Sequence, residues 1–150
     1  MHYLIDGYSV IHAWPDLKRA LDRRLAHARE LLVQRLQGFQ DHRGEAVTVF
    51  FDGRSGPRNP KLQPHDLEIV FSDQGQTADM RIEQRVGSVK KPGIFIVVTA
   101  DHAIVNTVGA LGAMTLSPER FLEELQAAEK EVAEWLDEAR GRNKRRFQGG

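Results

Sequence analysis

The 150-residue chain contains no cysteine, which excludes disulfide scaffolds, thiolate zinc sites and cysteine nucleophiles. No stretch approaches 18 consecutive apolar residues, so no membrane-spanning helix is expected. The opening MHYLIDGYSVIHAW lacks a basic segment followed by an apolar run, so no secretory signal is expected and a cytoplasmic location follows by elimination. Neither G-x-x-x-x-G-K-[ST] nor G-x-G-x-x-G follows the first apolar run, which ranks nucleotide binding low. Net charge is also lacking, with 21 Lys+Arg against 21 Asp+Glu, so attraction to a polyanion must be local. What is present suffices for one domain: a chain of this length buries roughly 70% of its unfolded surface.

Apolar runs alternate with helical stripes. Tyr3-Leu4-Ile5 reads as a buried strand meeting a turn at Asp6-Gly7, and Val47 to Phe51 as a second strand ending in Asp52-Gly53. Between them, Pro15 opens a long helix whose stripe (Leu17, Leu21, Leu25, Ala28, Leu32, Leu36) ends near Gly38. Residues 54–65, with Gly56, Pro57, Pro60 and Pro64, read as a loop, and Leu67 to Phe71 as a third strand. Thr77 is placed to cap a helix from Ala78 to about Val86. Ile94 to Val98 is a strand covered on both faces, followed by Thr99-Ala100-Asp101, a short helix over 102–110 and a brief strand at Met114–Leu116. Ser117-Pro118 starts a last helix whose apolar face is Phe121, Leu122, Leu125, Val132, Trp135 and Leu136. Trp14 is expected under the first helix. This alternation predicts an α/β fold with a mainly parallel sheet, residues 1–139, and a frayed or disordered basic tail, residues 140–150.

Three strands end in an aspartate, at Asp6, Asp52 and Asp101, and parallel strands put all three on one sheet edge. Asp79 and Glu83, four apart at the start of a helix, add a fourth group. Clustered carboxylates repel, and a hard divalent ion such as Mg²⁺ or Mn²⁺ relieves that repulsion. The chemistry expected of such a site is metal-assisted phosphodiester hydrolysis. An aspartyl-nucleophile phosphatase would want an acid at position 8, which is Tyr8.

These residues resemble a known family. "YLIDGYSVI", "VTVFFDG", "GQTADMRIEQRV", "IFIVVTADHAIVNTVGALGA" and "LSPERFLEEL" look, in order, like the segments of the YacP-like NYN domains within the PIN-like nuclease superfamily. The resemblance implies a PIN-like three-layer sandwich and a metal-dependent ribonuclease, expected to be an endoribonuclease. Carried over by position, Asp6, Asp79 and Asp101 would be the catalytic metal ligands, with Glu83 and Asp52 lining the site. Where the family usually has Asn, this chain has Ser9, whose hydroxyl can bond a phosphate, a water or the turn backbone. Arg54, Arg58 and Lys61, in the loop after the second strand, are candidate phosphate contacts, and the tail cations are a second set. The implied partner is RNA, with ribosome association open; the alternative is a non-catalytic RNA- or ribosome-binding module on the same fold. Neutrality hides segregation: residues 119–138 hold eight acids against Arg120 and Lys130, while Arg140, Arg142, Lys144, Arg145 and Arg146 follow without an acid.

Overall fold

The computed structural model describes residues 1–53, 67–72 and 75–148. Five strands form one sheet in the order β3-β2-β1-β4-β5, every neighbouring pair parallel. They are β1 (His2–Asp6), β2 (Ala46–Phe51), β3 (Glu68–Phe71), β4 (Phe95–Val98) and β5 (Met114–Leu116). Six α-helices flank them among the described residues: α1 (Gly7–Ala13), α2 (Pro15–Arg23), α3 (Leu25–Arg43), α4 (Ala78–Gly87), α5 (His102–Leu111) and α6 (Pro118–Gln148).

The period-2 alternation of each strand builds two cores. Tyr3, Ile5, Val47, Val49, Phe51 and Val98 face α1, α2, α3 and α6. Leu4, Phe50, Phe95 and Val97 face the opposite layer, where α4 and α5 supply Ile82, Val86, Ile104 and Val108. Burial on both faces explains why the strands read as near-continuous apolar runs. Trp14 is fully buried, stacked on Phe121, and its indole N–H donates to the Pro118 carbonyl at 2.8 Å. That bond ties the α1–α2 junction to the start of α6.

Strand order reverses direction between β1 and β4: β1 pairs in parallel with β2 on one side and with β4 on the other. In open parallel sheets such a switch point opens a crevice at the carboxyl ends of the strands. Asp6 ends β1 there, and Thr99 to Asp101 leave β4 beside it.

The structure corrects four local expectations. Gly7 opens helix α1 directly after β1, with no intervening turn. The long helix from Pro15 is two helices, broken at Arg24, whose backbone is extended (φ −164°, ψ 129°). The spacing from Leu21 to Leu25 stays in helical phase across that break, so the apolar stripe conceals it. α3 then runs through Gly38 to Arg43 and ends at Gly44 in the left-handed conformation (φ 68°). At the other terminus α6 spans Pro118–Gln148. Trp135 and Leu136, assigned to the apolar face of that helix, are exposed: beyond Ala128 the helix meets α3 through polar pairs such as His42–Glu131 rather than through buried apolar side chains. Among the described residues no helix is long and apolar enough to cross a membrane.

Candidate active site at the carboxyl edge of the sheet

One open pocket of about 610 Å³ lies over the switch point and is lined by Asp6, Asp52, Asp79 and Asp101 together with Tyr8, Ser9, His12 and Glu119, among others. Each aspartate arrives on a different element. Asp6 is the last residue of β1 and is buried. Its Oδ2 accepts two hydroxyl hydrogen bonds, from Ser9 Oγ at 2.7 Å and from Thr99 Oγ1 at 2.9 Å. Those hydroxyls also accept from the β4 exit: Ala100 N–H donates to Ser9 Oγ at 3.2 Å, and Asp101 N–H to Thr99 Oγ1 at 3.1 Å. Ser9 and Thr99 therefore pin the carboxylate of one strand to the backbone of the next.

Asp101 caps α5, its Oδ1 accepting from Ala103 N–H at 2.8 Å. Asp79 lies in the first turn of α4, whose N-cap Thr77 accepts from Met80 N–H at 3.2 Å. Asp52 follows β2 and accepts from Ser72 Oγ at 3.2 Å. Close packing brings these elements in. A Cβ on Gly7 would stand 2.6 Å from the Phe51 ring and 2.9 Å from the Phe50 carbonyl. One on Gly53 would stand 2.2 Å from the Ser72 carbonyl. Both Asp-Gly pairs thus reflect backbone approach that a side chain would block.

The acids strain one another. The Asp79 carboxyl is pushed up to about 6, first by burial, then by the charges of Asp6 and Asp101, a hydrogen bond shared with Asp101, and Glu83. Glu83 acts on Asp79 from the next turn of α4 and is not among the residues lining the pocket. Among the described residues, no three His, Asp or Glu side chains are gathered tightly enough to hold a metal ion unaided. The donors are nonetheless all oxygens, and the pocket is open to water. Mg²⁺ and Mn²⁺ suit such a set, and Mg²⁺ commonly takes one or two carboxylates and keeps several waters.

Ser9, expected to touch substrate, spends its hydroxyl on Asp6 and Ala100. Arg54, Arg58 and Lys61 lie outside the described residues. Of the other candidates, His12 is exposed on the pocket wall. Three contributors escaped the sequence reading. Thr99 sits one residue past β4 and reads there as an ordinary strand end. Glu119 reads as one more acid of an acidic helix. Arg29 reads as a surface charge, yet it is buried; its guanidinium lies over the rings of Tyr8, Phe51 and Phe71 at 5.6–5.7 Å. Its Nε donates to the Tyr8 hydroxyl at 3.1 Å, and Nη2 donates to the same oxygen. The available signal was its position between Leu25 and Leu32, within the inward stripe of α3.

Comparison with known proteins agrees across nearly the whole chain. A family model described as YacP-like NYN domain matches residues 3–149. The uncharacterized protein YacP of Bacillus subtilis (strain 168) is 31% identical over 131 residues, covering 86% of this chain and 77% of that protein. The crystal structure of Rae1 (YacP) from Bacillus subtilis is similar with a TM-score of 0.83 at 26% identity, over 96% of this chain and 84% of that one. Its W164L mutant gives 0.78 at 26% identity, over 93% and 82%.

Proposed function

This chain belongs to the YacP-like NYN domain family, and from that premise we propose that it is a Mg²⁺- or Mn²⁺-dependent endoribonuclease. One observation carries the reading: four aspartates from four separate elements converge on one pocket at the switch point, where burial and then the charges of Asp6 and Asp101 raise Asp79. Such charge concentration costs stability, and a bound cation relieves it.

Asp6, Asp79 and Asp101 would hold the ion, with Asp52 and Glu83 beside them. When bound, the ion would supply a more acidic water and stabilise charge developing on the phosphoryl oxygens. The chain's own residues prepare the site. The Ser9 and Thr99 hydroxyls donate to Asp6 Oδ2, which fixes the orientation of the carboxylate and leaves Oδ1 free of these two bonds. Without a cation, Asp79 is pushed up to about 6 and holds a proton below that pH, so cation binding there is accompanied by proton release. The amide end of α4 lies under Asp79 and stabilises its negative charge.

The test is cleavage of single-stranded RNA by the purified chain. Activity should require Mg²⁺ or Mn²⁺, stop with chelator, and fall by orders of magnitude in Asp6→Asn, Asp79→Asn and Asp101→Asn. Equal cleavage by the wild type and all three variants would overturn the proposal. A wild type that binds RNA but cuts under no divalent ion would make the chain a binding module on the same fold.

A further inference from the structure

An acidic pocket in a chain of zero net charge has no general means of attracting a polyanion, so cations close to it must do so. Among the described residues, some exposed or half-exposed cations are paired with acids and others are not. Arg35 is paired with Asp16 and Glu129, Arg43 with Glu131, and Arg85 with Glu68. Lys18, Arg19, Arg23 and Arg24 are exposed, and among the described residues none of them has a carboxylate within ion-pair distance. From Lys18 to His27 the chain sets these four cations and His27 against a single acid, Asp22.

Arg19, Arg23 and His27 line one concavity of about 220 Å³ between α2 and α3, floored by Ala20 and Leu31. Its one acid, Asp16, already accepts from Arg35 Nη1 at 2.9 Å. The concavity lies on the side of the catalytic pocket. α3 ends at Arg43, just before β2 enters the sheet at its amino edge, so the helix starts at the carboxyl edge. Arg29 of α3 reaches Tyr8 on the pocket wall, and His27 stands at the same end of the helix, ~3 Å of rise before Arg29 and on its outer face.

We propose that Arg19, Arg23 and His27 form a phosphodiester-binding subsite that holds the RNA strand beside the segment seated in the acidic pocket. The assignment rests on the ribonuclease reading for its substrate. Guanidinium forks suit phosphate oxygens, and contacts of this kind position a strand without reading its sequence. They also offset the repulsion an incoming phosphate meets from Asp6, Asp52, Asp79 and Asp101.

The test measures binding of a fluorescent single-stranded oligoribonucleotide by anisotropy, in chelator, over a range of salt concentrations. Arg19→Gln/Arg23→Gln should lower the slope of log K against log salt by ~1.4, at ~0.7 per single-strand phosphate contact. Arg19→Lys/Arg23→Lys should keep most of the slope. The charge-matched control is Lys90→Gln/Lys91→Gln, two exposed lysines between α4 and β4 at the opposite edge of the sheet, and it should leave the slope unchanged. Thermal melts establish that each variant is folded. An unchanged slope in Arg19→Gln/Arg23→Gln, or an equal loss in the lysine control, overturns the subsite. Because binding is read without cleavage, a wild type that binds with this slope pattern yet never cuts defeats the ribonuclease reading and leaves the subsite standing. A wild type that cuts with an indifferent slope does the reverse.

Discussion

At the start of α4, Asp79 shares a pocket with Asp6 and Asp101, and its carboxyl is pushed up to about 6. Six residues along the same helix, ~9 Å away, Arg85 grips Glu68 through two hydrogen bonds of 2.7 and 3.2 Å. Thr48 Oγ1 adds a third bond to Glu68 and contacts His2 Nε2, so the chain of polar groups crosses three strands. Glu68 is accordingly held below its ordinary value, by Arg85 first and Thr48 after burial is counted, while burial and Arg85 lower His2. Both ends of the helix carry half-buried charge over the same sheet. One end satisfies itself and serves the fold. The other collects the like charges of Asp6, Asp79 and Asp101, which pair with no Lys or Arg among the described residues, and this is where a cation would act. Like charge gathered at a switch point, rather than charge itself, is what sets the proposed functional end apart.

The largest structural effect is expected at Gly7, under the pocket. Gly7→Ala puts a methyl into the Phe50 carbonyl and the Phe51 ring, so α1 must shift and carry Asp6 and Ser9 with it. Urea unfolding should show a loss of ~1–3 kcal/mol, as overpacked sites do, with RNA cleavage falling by more than the folded fraction accounts for. Gly38, in the interior of α3 with open space around it, is the comparison, and Gly38→Ala should not destabilise.

A smaller and more discriminating effect lies in the pH dependence of thermal stability in chelator. Asp79 is raised above its ordinary 3.8, so the folded state holds its proton more tightly than the unfolded chain does. The resulting penalty is absent below about 3.8 and is fully present above about 6. Asp79→Asn should therefore melt higher than wild type at pH 7.5, and the gain should shrink through pH 6 and vanish near pH 4. Mg²⁺ should raise the melting point of wild type and not that of the variant. Glu68 is shifted the opposite way, so its contribution is present above its ordinary 4.5 and is lost as pH falls through the depressed value. Arg85→Met should cost under ~1 kcal/mol at pH 7.5, in keeping with a partly exposed pair, and the cost should fade in acid. If both variants lose stability at pH 7.5, the two ends of α4 do not differ as described.

The sheet and the convergence of the aspartates were legible because both follow from simple periodicities. Alternating strands and helices imply parallel strands, and parallel strands deliver Asp6, Asp52 and the Asp101 segment to one edge. Thr77 and Ser117 were legible as caps for the same local reason, and Ser117 Oγ does accept from Arg120 N–H at 3.2 Å. The break at Arg24 was not, because an extended residue between Leu21 and Leu25 leaves the apolar spacing unchanged. Arg29 was hidden by its type: burial of a guanidinium depends on rings contributed by Tyr8, Phe51 and Phe71, which are distant in sequence. The ties of Ser9 to Thr99 and Ala100 were not legible, because its partners on the β4 side become neighbours only when β1 and β4 pair. Trp135 looked like core because a helical stripe does not reveal how fully the neighbouring helix covers it.

The most direct test of the central claim is a crystal of this chain soaked in Mn²⁺ and examined for anomalous density. The account predicts a peak between Asp6, Asp79 and Asp101 that is lost in Asp79→Asn, with nothing comparable at Glu68 and Arg85. Mn²⁺ absent from the pocket at saturating concentration, or bound there equally well without Asp79, would contradict it.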